Sequence, residues 1–181
     1  MGLFLFIVAC MVPHAGTQVA ADELVLARGE GRFYLEDQRF TGQSVSTFPD
    51  GALQERVLYR DGRRHGLREK WHENGVMGSQ TMYRGGKRDG IARTWWPDGT
   101  LRSESSLVDG AAHGVQRQWY RTGVLFKELN LERGVQEGMQ RAWRDNGVLY
   151  TNYEAKNGRT FGLRKSKLCF ELEGEEISSA D

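Results

Sequence analysis

Short runs of alternating apolar and polar residues, each closed by a glycine-bearing turn, recur along the chain. Within residues 67–72 the alternation sets Leu67, Glu69 and Trp71 on one side and Arg68, Lys70 and His72 on the other. That is the two-residue period of a strand. Runs of about six to eight residues are too short for stable isolated helices and suit strands. In the return run, Met77, Ser79, Thr81 and Tyr83 are expected to share one side. The runs end alternately in two sets of dipeptides. One set is Asp50-Gly51, Asn74-Gly75, Asp98-Gly99, Thr122-Gly123 and Asn146-Gly147; the other is Asp61-Gly62, Gly85-Gly86, Asp109-Gly110, Arg133-Gly134 and Asn157-Gly158. Asn-Gly and Asp-Gly take positive φ at low cost, so both sets are expected to make tight hairpins.

The pattern repeats every 24 residues. Two glycine registers follow the turns, and a third runs through Gly42, Gly66, Gly90, Gly114, Gly138 and Gly162, also expected at turns. Trp71, Trp95, Trp119 and Trp143 keep the same step, as do Leu67, Ile91, Val115, Met139 and Leu163. Further ladders join Leu53, Met77, Leu101, Leu125 and Leu149, and Tyr59, Tyr83, Leu107 and Leu131. Self-similarity at a fixed step marks a repeat architecture. The expected fold is all-β: an elongated antiparallel meander of β-hairpins in an open, twisted or curved sheet with no conventional central core. The units are worn at both ends, as terminal repeats are. Residues 22–32 read as a lead-in, 33–165 as the repeat domain, and 166–181 as a C-terminal cap with an acidic tail.

Tyr83, Gly86, Gly90, Trp95, Gly99 and Leu101 spell Y-x-x-G-x-x-x-G-x-x-x-x-W-x-x-x-G-x-L. This pattern resembles the MORN-repeat family, in particular its bacterial variant with units near 24 residues. The unit at Tyr59, Gly62, Gly66, Trp71 and Gly75 matches with Met77 for the leucine; later units match at Gly110, Gly114, Trp119, Gly123 and Leu125, and at Gly134, Gly138, Trp143, Gly147 and Leu149. The resemblance implies strings of β-hairpins in an open curved sheet. Bacterial members of the variant are commonly classed as antitoxin-like, while the broader family has been linked to membrane phospholipids and scaffolding.

The chain has 181 residues and a formal net charge of +1, which argues against a general nucleic-acid binder. Residues 3–12 form an apolar run with no Asp, Glu, Lys or Arg before Asp22. Ten apolar residues are too few to span a bilayer, which needs about 20. The run fits a secretory signal over residues 1–21, cut after Val19-Ala20-Ala21, although no basic residue precedes it. The rival reading takes Ile7-Val8-Ala9-Cys10 as a lipoprotein box, with Cys10 lipidated and anchoring the protein to the membrane. Either way the chain is expected to be exported to the periplasm. Its two cysteines, Cys10 and Cys169, do not make a disulfide scaffold.

No catalytic constellation is visible, and the chain is expected not to be an enzyme. His14, His65, His72 and His113 lack the short spacing of zinc ligands, so neither a metal nor a cofactor is expected. The candidate partner-binding residues are Trp71, Trp95, Trp119 and Trp143 together with Arg93, Arg117 and Arg141, which alternation places on the same face. Trp and Arg dominate interaction hot spots. The indoles also serve packing between units, and the arginines have Glu104 and Glu128 nearby as ion-pair partners. The opposite face carries Phe48, Trp96 and Tyr120. The expected function is that of a periplasmic immunity protein blocking a toxic envelope-acting effector, such as a lipase or phospholipase. The alternative is a structural or lipid-associated envelope protein without a toxin.

Overall fold

A computed structural model describes residues 16–163. The calls on residues 1–15, on Cys10 and on residues 166–181 lie outside it. The strands are β1 (Gln18–Ala20), β2 (Val25–Ala27), β3 (Arg32–Leu35), β4 (Gln38–Arg39), β5 (Gly42–Thr47), β6 (Leu53–Arg60), β7 (Arg63–Trp71), β8 (Met77–Arg84), β9 (Lys87–Trp95), β10 (Leu101–Val108), β11 (Ala111–Trp119), β12 (Leu125–Glu132), β13 (Val135–Trp143), β14 (Leu149–Lys156) and β15 (Arg159–Leu163). Strands β5 to β15 pair antiparallel in chain order, and β1 adds parallel to β5, giving a 12-stranded open sheet. Strands β2, β3 and β4 form a separate three-stranded sheet. No α-helix occurs among the described residues.

The two sets of turns are built differently. Asp61, Asp109, Arg133 and Asn157 have φ near +50°, each followed by a glycine also at positive φ. Both central residues are thus left-handed, as a two-residue hairpin requires. At the other end only the glycine is left-handed, as at Gly75 and Gly99. There Asn74 and Asp98 act through their side chains, accepting hydrogen bonds from the amides of Val76 (3.1 Å) and Thr100 (3.0 Å). Both dipeptide sets make hairpin turns as expected, but both residues take positive φ at one end of the hairpins only.

The third glycine register lies inside strands rather than at turns. Gly66, Gly90, Gly114 and Gly138 sit opposite Tyr83, Leu107, Leu131 and Ala155, with φ from +83° to +102°. Around each of them the strand carries surplus residues. From Arg64 to Arg68, β7 advances four residues while β6 advances two, from Tyr59 to Val57. The same surplus recurs from Arg88 to Ala92, Ala112 to Gln116 and Gln136 to Gln140. Inserted residues bend a strand and deepen its twist, so the sheet is bent once per unit in the same sense.

A second irregularity sits near the other end of each return strand. Trp71 pairs with Met77 and Lys70 with Ser79, which leaves Gly78 as an extra residue. Gln54, Arg102, Phe126 and Tyr150 occupy the same place in their units. The bulge reverses the alternation there. Met77 therefore shares the face of Trp71, and only Ser79, Thr81 and Tyr83 keep the grouping expected from the sequence.

Successive units are tied by backbone bonds at the hairpin turns. The amides of Gly86, Gly110 and Gly134 donate to the carbonyls of Arg64, Arg88 and Ala112 at 2.7–2.8 Å. A small core closes the N-terminal end: Phe40, Val57 and Tyr59 are buried, with Val19, Leu24, Phe33 and Leu35 packed on them. Phe33 meets the Tyr59 ring edge-on at 5.0 Å, and Arg32 pairs with Asp61. The stretch from Val25 to Arg39 thus serves as a cap, and Phe33 belongs to this cap while the long sheet resumes at Gly42.

Gly62 and Gly110 are both turn glycines at positive φ, but a Cβ on Gly62 would lie 2.8 Å from the Phe33 carbonyl oxygen whereas Gly110 faces open space. Gly110→Ala should cost about 1 kcal/mol from backbone strain alone. Gly62→Ala should cost at least about 1 kcal/mol more and loosen the cap, as read by urea denaturation; equal costs would show that the cap does not seat on this turn.

Candidate functional site

Strands β5 to β14 each contribute one residue to a row across the middle of the long sheet. Cross-strand register runs Val45, Arg56, Glu69, Gln80, Arg93, Glu104, Arg117, Glu128, Arg141, Asn152. Directly opposed residues share a face, so this row and the tryptophans two residues further on occupy the same side. The structure brings all seven sequence-predicted residues together here. Trp71, Trp95, Trp119 and Trp143 close β7, β9, β11 and β13, each half-buried and opposite Met77, Leu101, Leu125 or Leu149. The indoles therefore pack the units together and also offer an exposed edge.

The arginines are paired along the row. Arg93 Nε donates to Glu104 at 2.7 Å, Arg117 Nε to Glu128 at 2.8 Å, and an Arg141 terminal nitrogen lies 3.5 Å from Glu128. Alternating charge removes the repulsion that three like charges on one face would otherwise bring. Pairing through Nε leaves the outer edge of the Arg93 and Arg117 guanidinium groups toward solvent, where their side chains remain about two-fifths exposed (42% and 41%). Glu69 is the anchored member. Its side chain is 8% exposed, takes two bonds from Arg56 (2.9 and 2.6 Å) and one from Gln80 (3.3 Å), and Arg56 also lies 5.5 Å from the centre of the Trp71 ring.

The other face is organised by the rings of Phe48, His72, Trp96 and Tyr120 and the bulge residue that follows each, with Arg144 in the ring's place in the last unit. His72 lies against Gly78, where a Cβ would come within 3.1 Å of the imidazole. The Arg102 guanidinium lies 4.5 Å from the centre of the Trp96 ring, and Tyr120 and Phe126 pack at 4.9 Å between ring centres. His72 Nε2 also donates to the Trp95 carbonyl (3.1 Å) and the Tyr120 hydroxyl to the Trp143 carbonyl (3.0 Å). Trp96 makes no such bond, and its indole nitrogen is buried without a hydrogen-bond partner among the described residues. A groove of about 590 Å³ opens between Trp96, Arg102, Gln118, Tyr120 and Phe126. Arg121 stands at its rim and donates to Asp98 at 2.6 Å. That bond, with the Thr100 amide, holds the Asp98 carboxyl down at about 2. The bridge thus favours folding above the ordinary carboxylate range and fails only as pH falls toward 2.

Sequence reasoning named Trp96 and Tyr120 but missed Arg102, Phe126 and Lys127. The signal shared by Arg102 and Phe126 is the position three residues past the turn glycine, which strict alternation assigns to the wrong face. His65 proves to be a turn partner: its Nδ1 accepts from the Gly85 amide at 3.4 Å, as Thr41, Asp89 and Glu137 accept from Asp61, Asp109 and Asn157. Among the described residues no group of three His, Cys, Asp or Glu side chains is placed to hold a metal ion, and no helix is long and apolar enough to cross a membrane.

Glu69→Ala should be the most destabilising change in the row, at about 2 kcal/mol, because it removes a buried carboxylate that takes three hydrogen bonds, two from Arg56 and one from Gln80. Glu104→Ala, at a more open site, should cost about 1 kcal/mol or less. Chemical denaturation of the two variants compares them, and a reversed order would mean that burial does not set the strength of the row.

A family model described as MORN repeat variant matches residues 88–109 and 112–132. Those segments are strands β9–β10 and β11–β12 with the turns that join them. No curated protein matches the chain significantly.

Proposed function

We propose that this MORN-repeat protein is an exported binding protein of the cell envelope, an immunity protein that blocks a toxic effector by docking its repeat sheet against it. The observation that carries the reading is the central row itself, on an open sheet whose arginines keep their outer edges free beside half-buried indoles. Such a surface is broad, rigid and made of the residue types that anchor protein interfaces. An arginine fork can take a carboxylate on a partner while the indole edge excludes water. Trp95, Trp119, Arg93, Arg117 and Arg141 form the centre of this surface, with Trp71 and Trp143 at its ends. An envelope-acting lipase or phospholipase is the effector class in keeping with export.

Replacing both Arg93 and Arg117 by alanine tests the reading. Each loss releases a partly exposed glutamate, a small cost to the fold, so the circular dichroism spectrum should be unchanged. Protection of cells against the effector should fall, with binding weakened by about 2 kcal/mol or more. A folded variant that protects as well as the parent would sink this surface. If no effector exists and the protein instead binds liposomes unaided, the structural or lipid-associated role takes its place.

Strand β1 bears on the route of export. The Thr17 carbonyl accepts from the Gln43 amide at 2.8 Å, Gln18–Ala20 pair with β5, and Val19 packs on the core. A cut before Asp22 would remove this strand, whereas processing before Cys10 would keep it. We therefore favour the lipoprotein route, with Cys10 as the first residue of an anchored protein. Intact mass of the protein from cell envelopes should show a diacylated Cys10; a mature chain starting at Asp22 would refute this.

A further inference from the structure

On the tryptophan face, the ends of β6 to β9 nearest the Asp61 and Gly85 turns carry an apolar band bordered by cations. Two residues beyond the charged row, alternation and register set Leu58, Leu67, Met82 and Ile91 in line across these strands. Leu58 and Leu67 are half-buried, while Met82 and Ile91 remain 39% and 42% exposed. Beyond Ile91 the line is broken by Ser106, Asn130 and Glu154, so the continuous apolar run ends there. Arg60 and Arg63 face each other at the Asp61 turn, with Arg60 two residues past Leu58. Like charges directly opposed across two strands weaken a sheet, and nothing offsets these two. Both are exposed and make no ion pair among the described residues, and Asp61 is held by Arg32 and Arg39. The Arg63 stem passes Gly86, where a Cβ would lie 3.9 Å from it, so this cation bridges toward the second turn. Arg84 and Lys87, opposed in that turn, each keep an acid, Asp89 at 3.3 Å and Asp109 at 2.7 Å. Arg56 and Arg93 of the charged row border the band on its inner side, each about two-fifths exposed.

We infer that this end of the face receives an acidic amphipathic α-helix of a protein partner. Its apolar stripe lies along the band, and carboxylates on the stripe's two margins meet Arg60 and Arg63 on the outer side and Arg56 and Arg93 on the inner. The site rests on the reading of the chain as a binding protein and adds the kind of partner; it does not depend on export or on a toxin. Charge is the first support. A carboxylate brought to Arg60 and Arg63 offsets the repulsion between them, which an apolar or basic partner cannot do. Dimensions are the second. Arg56 and Arg60 bracket Leu58 four residues apart on one strand, about 13 Å, and a helix with its side chains is about 10–12 Å across. Strands β6 to β9 span three strand spacings, about 14 Å, which about two and a half turns of helix cover. A helix carries an apolar stripe with polar residues on both margins, whereas one side of an extended strand offers only a single line of side chains. A bilayer fits less well. The turns at this edge, Asp61-Gly62, Gly85-Gly86 and Asp109-Gly110, have no apolar side chain to insert, and a face-on approach brings the glutamates of the row against anionic headgroups. A second copy of the chain offers no α-helix among its described residues.

The test uses purified protein and a fluorescein-labelled helical peptide of about 16 residues, long enough to form a helix, with leucines on one stripe and glutamates on both margins. A second peptide has the same composition in an order that makes no stripe. Fluorescence anisotropy should show the striped peptide binding at least tenfold more tightly than the scrambled one. Arg60→Gln with Arg63→Gln should weaken the striped peptide at least tenfold, and its urea midpoint should not fall, since the change removes a repulsion and no ion pair. Met82→Gln, at an exposed point of the band, should weaken it at least threefold. Lys156→Gln, at a remote turn where Glu154 stands in place of the apolar residue, should change nothing. Equal binding by the double variant and the parent overturns the site, and equal binding of the two peptides overturns the helix. Vesicles of phosphatidylglycerol bound with the same dependence on Arg60 and Arg63 would assign the patch to a lipid surface instead. Self-association abolished by the double variant would assign it to a second copy, and either result overturns a partner helix. Because the peptide assay needs no effector, a failure of protection in cells and a failure of this site are separate results.

Discussion

One backbone requirement governs this molecule: in alternate strands a residue inside the sheet must take positive φ. A side chain resists that conformation by roughly 1–2 kcal/mol, and glycine accepts it, which is why Gly66, Gly90, Gly114 and Gly138 recur at a fixed step. Each lets its strand carry surplus residues against a straighter neighbour. The residues before Gly66, Gly90 and Gly138 are thereby brought to the next hairpin turn, where His65, Asp89 and Glu137 receive the amides of Gly85, Asp109 and Asn157. Bend, cross-unit bonding and the placement of both faces follow from that one left-handed position.

Stability is then spread along the sheet rather than concentrated. The long-range contacts join neighbouring strands, and the units are held by backbone ladders, the bonds between hairpin turns and the central charged row. Such a chain behaves as a sum of units and interfaces. The N-terminal end departs from this plan. Phe40, Val57 and Tyr59 make a compact core with the small sheet laid over them, giving the first unit the cover that an inner unit receives from its neighbours. A sheet built this way presents two long faces of different chemistry, one carrying the charged row with the tryptophans and one carrying the rings and bulge residues.

The fold was readable because the pattern that reports it is local and repeated. Strand type, hairpin order and the shared face of Arg93, Arg117 and Arg141 with the tryptophans all follow from the 24-residue step and the two-residue alternation. The cap was not readable, since Phe33 and Leu35 look like one more worn repeat until their contacts with Tyr59 and Val57 are seen. Arg102 and Phe126 escaped for a sharper reason. A bulge adds one residue to one strand and reverses the phase after it, and nothing in the residue type of Gln54, Gly78, Arg102, Phe126 or Tyr150 announces that change. Pairing of Arg93 with Glu104 was foreseeable in outline, but Nε bonding with an open outer edge required coordinates.

The bulge has an evolutionary consequence. A residue that the ladder does not need can change without shifting the register of any strand, and the described residues hold five such sites, filled by Gln54, Gly78, Arg102, Phe126 and Tyr150, with the choice at Gly78 narrowed by the His72 ring. Their neighbours in the ladder are held to shapes and charges that the adjoining strand dictates. Duplication of a unit copies the scaffold and one such site together, and later drift at that site writes a new contact beside an unaltered frame. A lineage built from these units can therefore alter what one face recognises, unit by unit, while the fold that displays it stays the same.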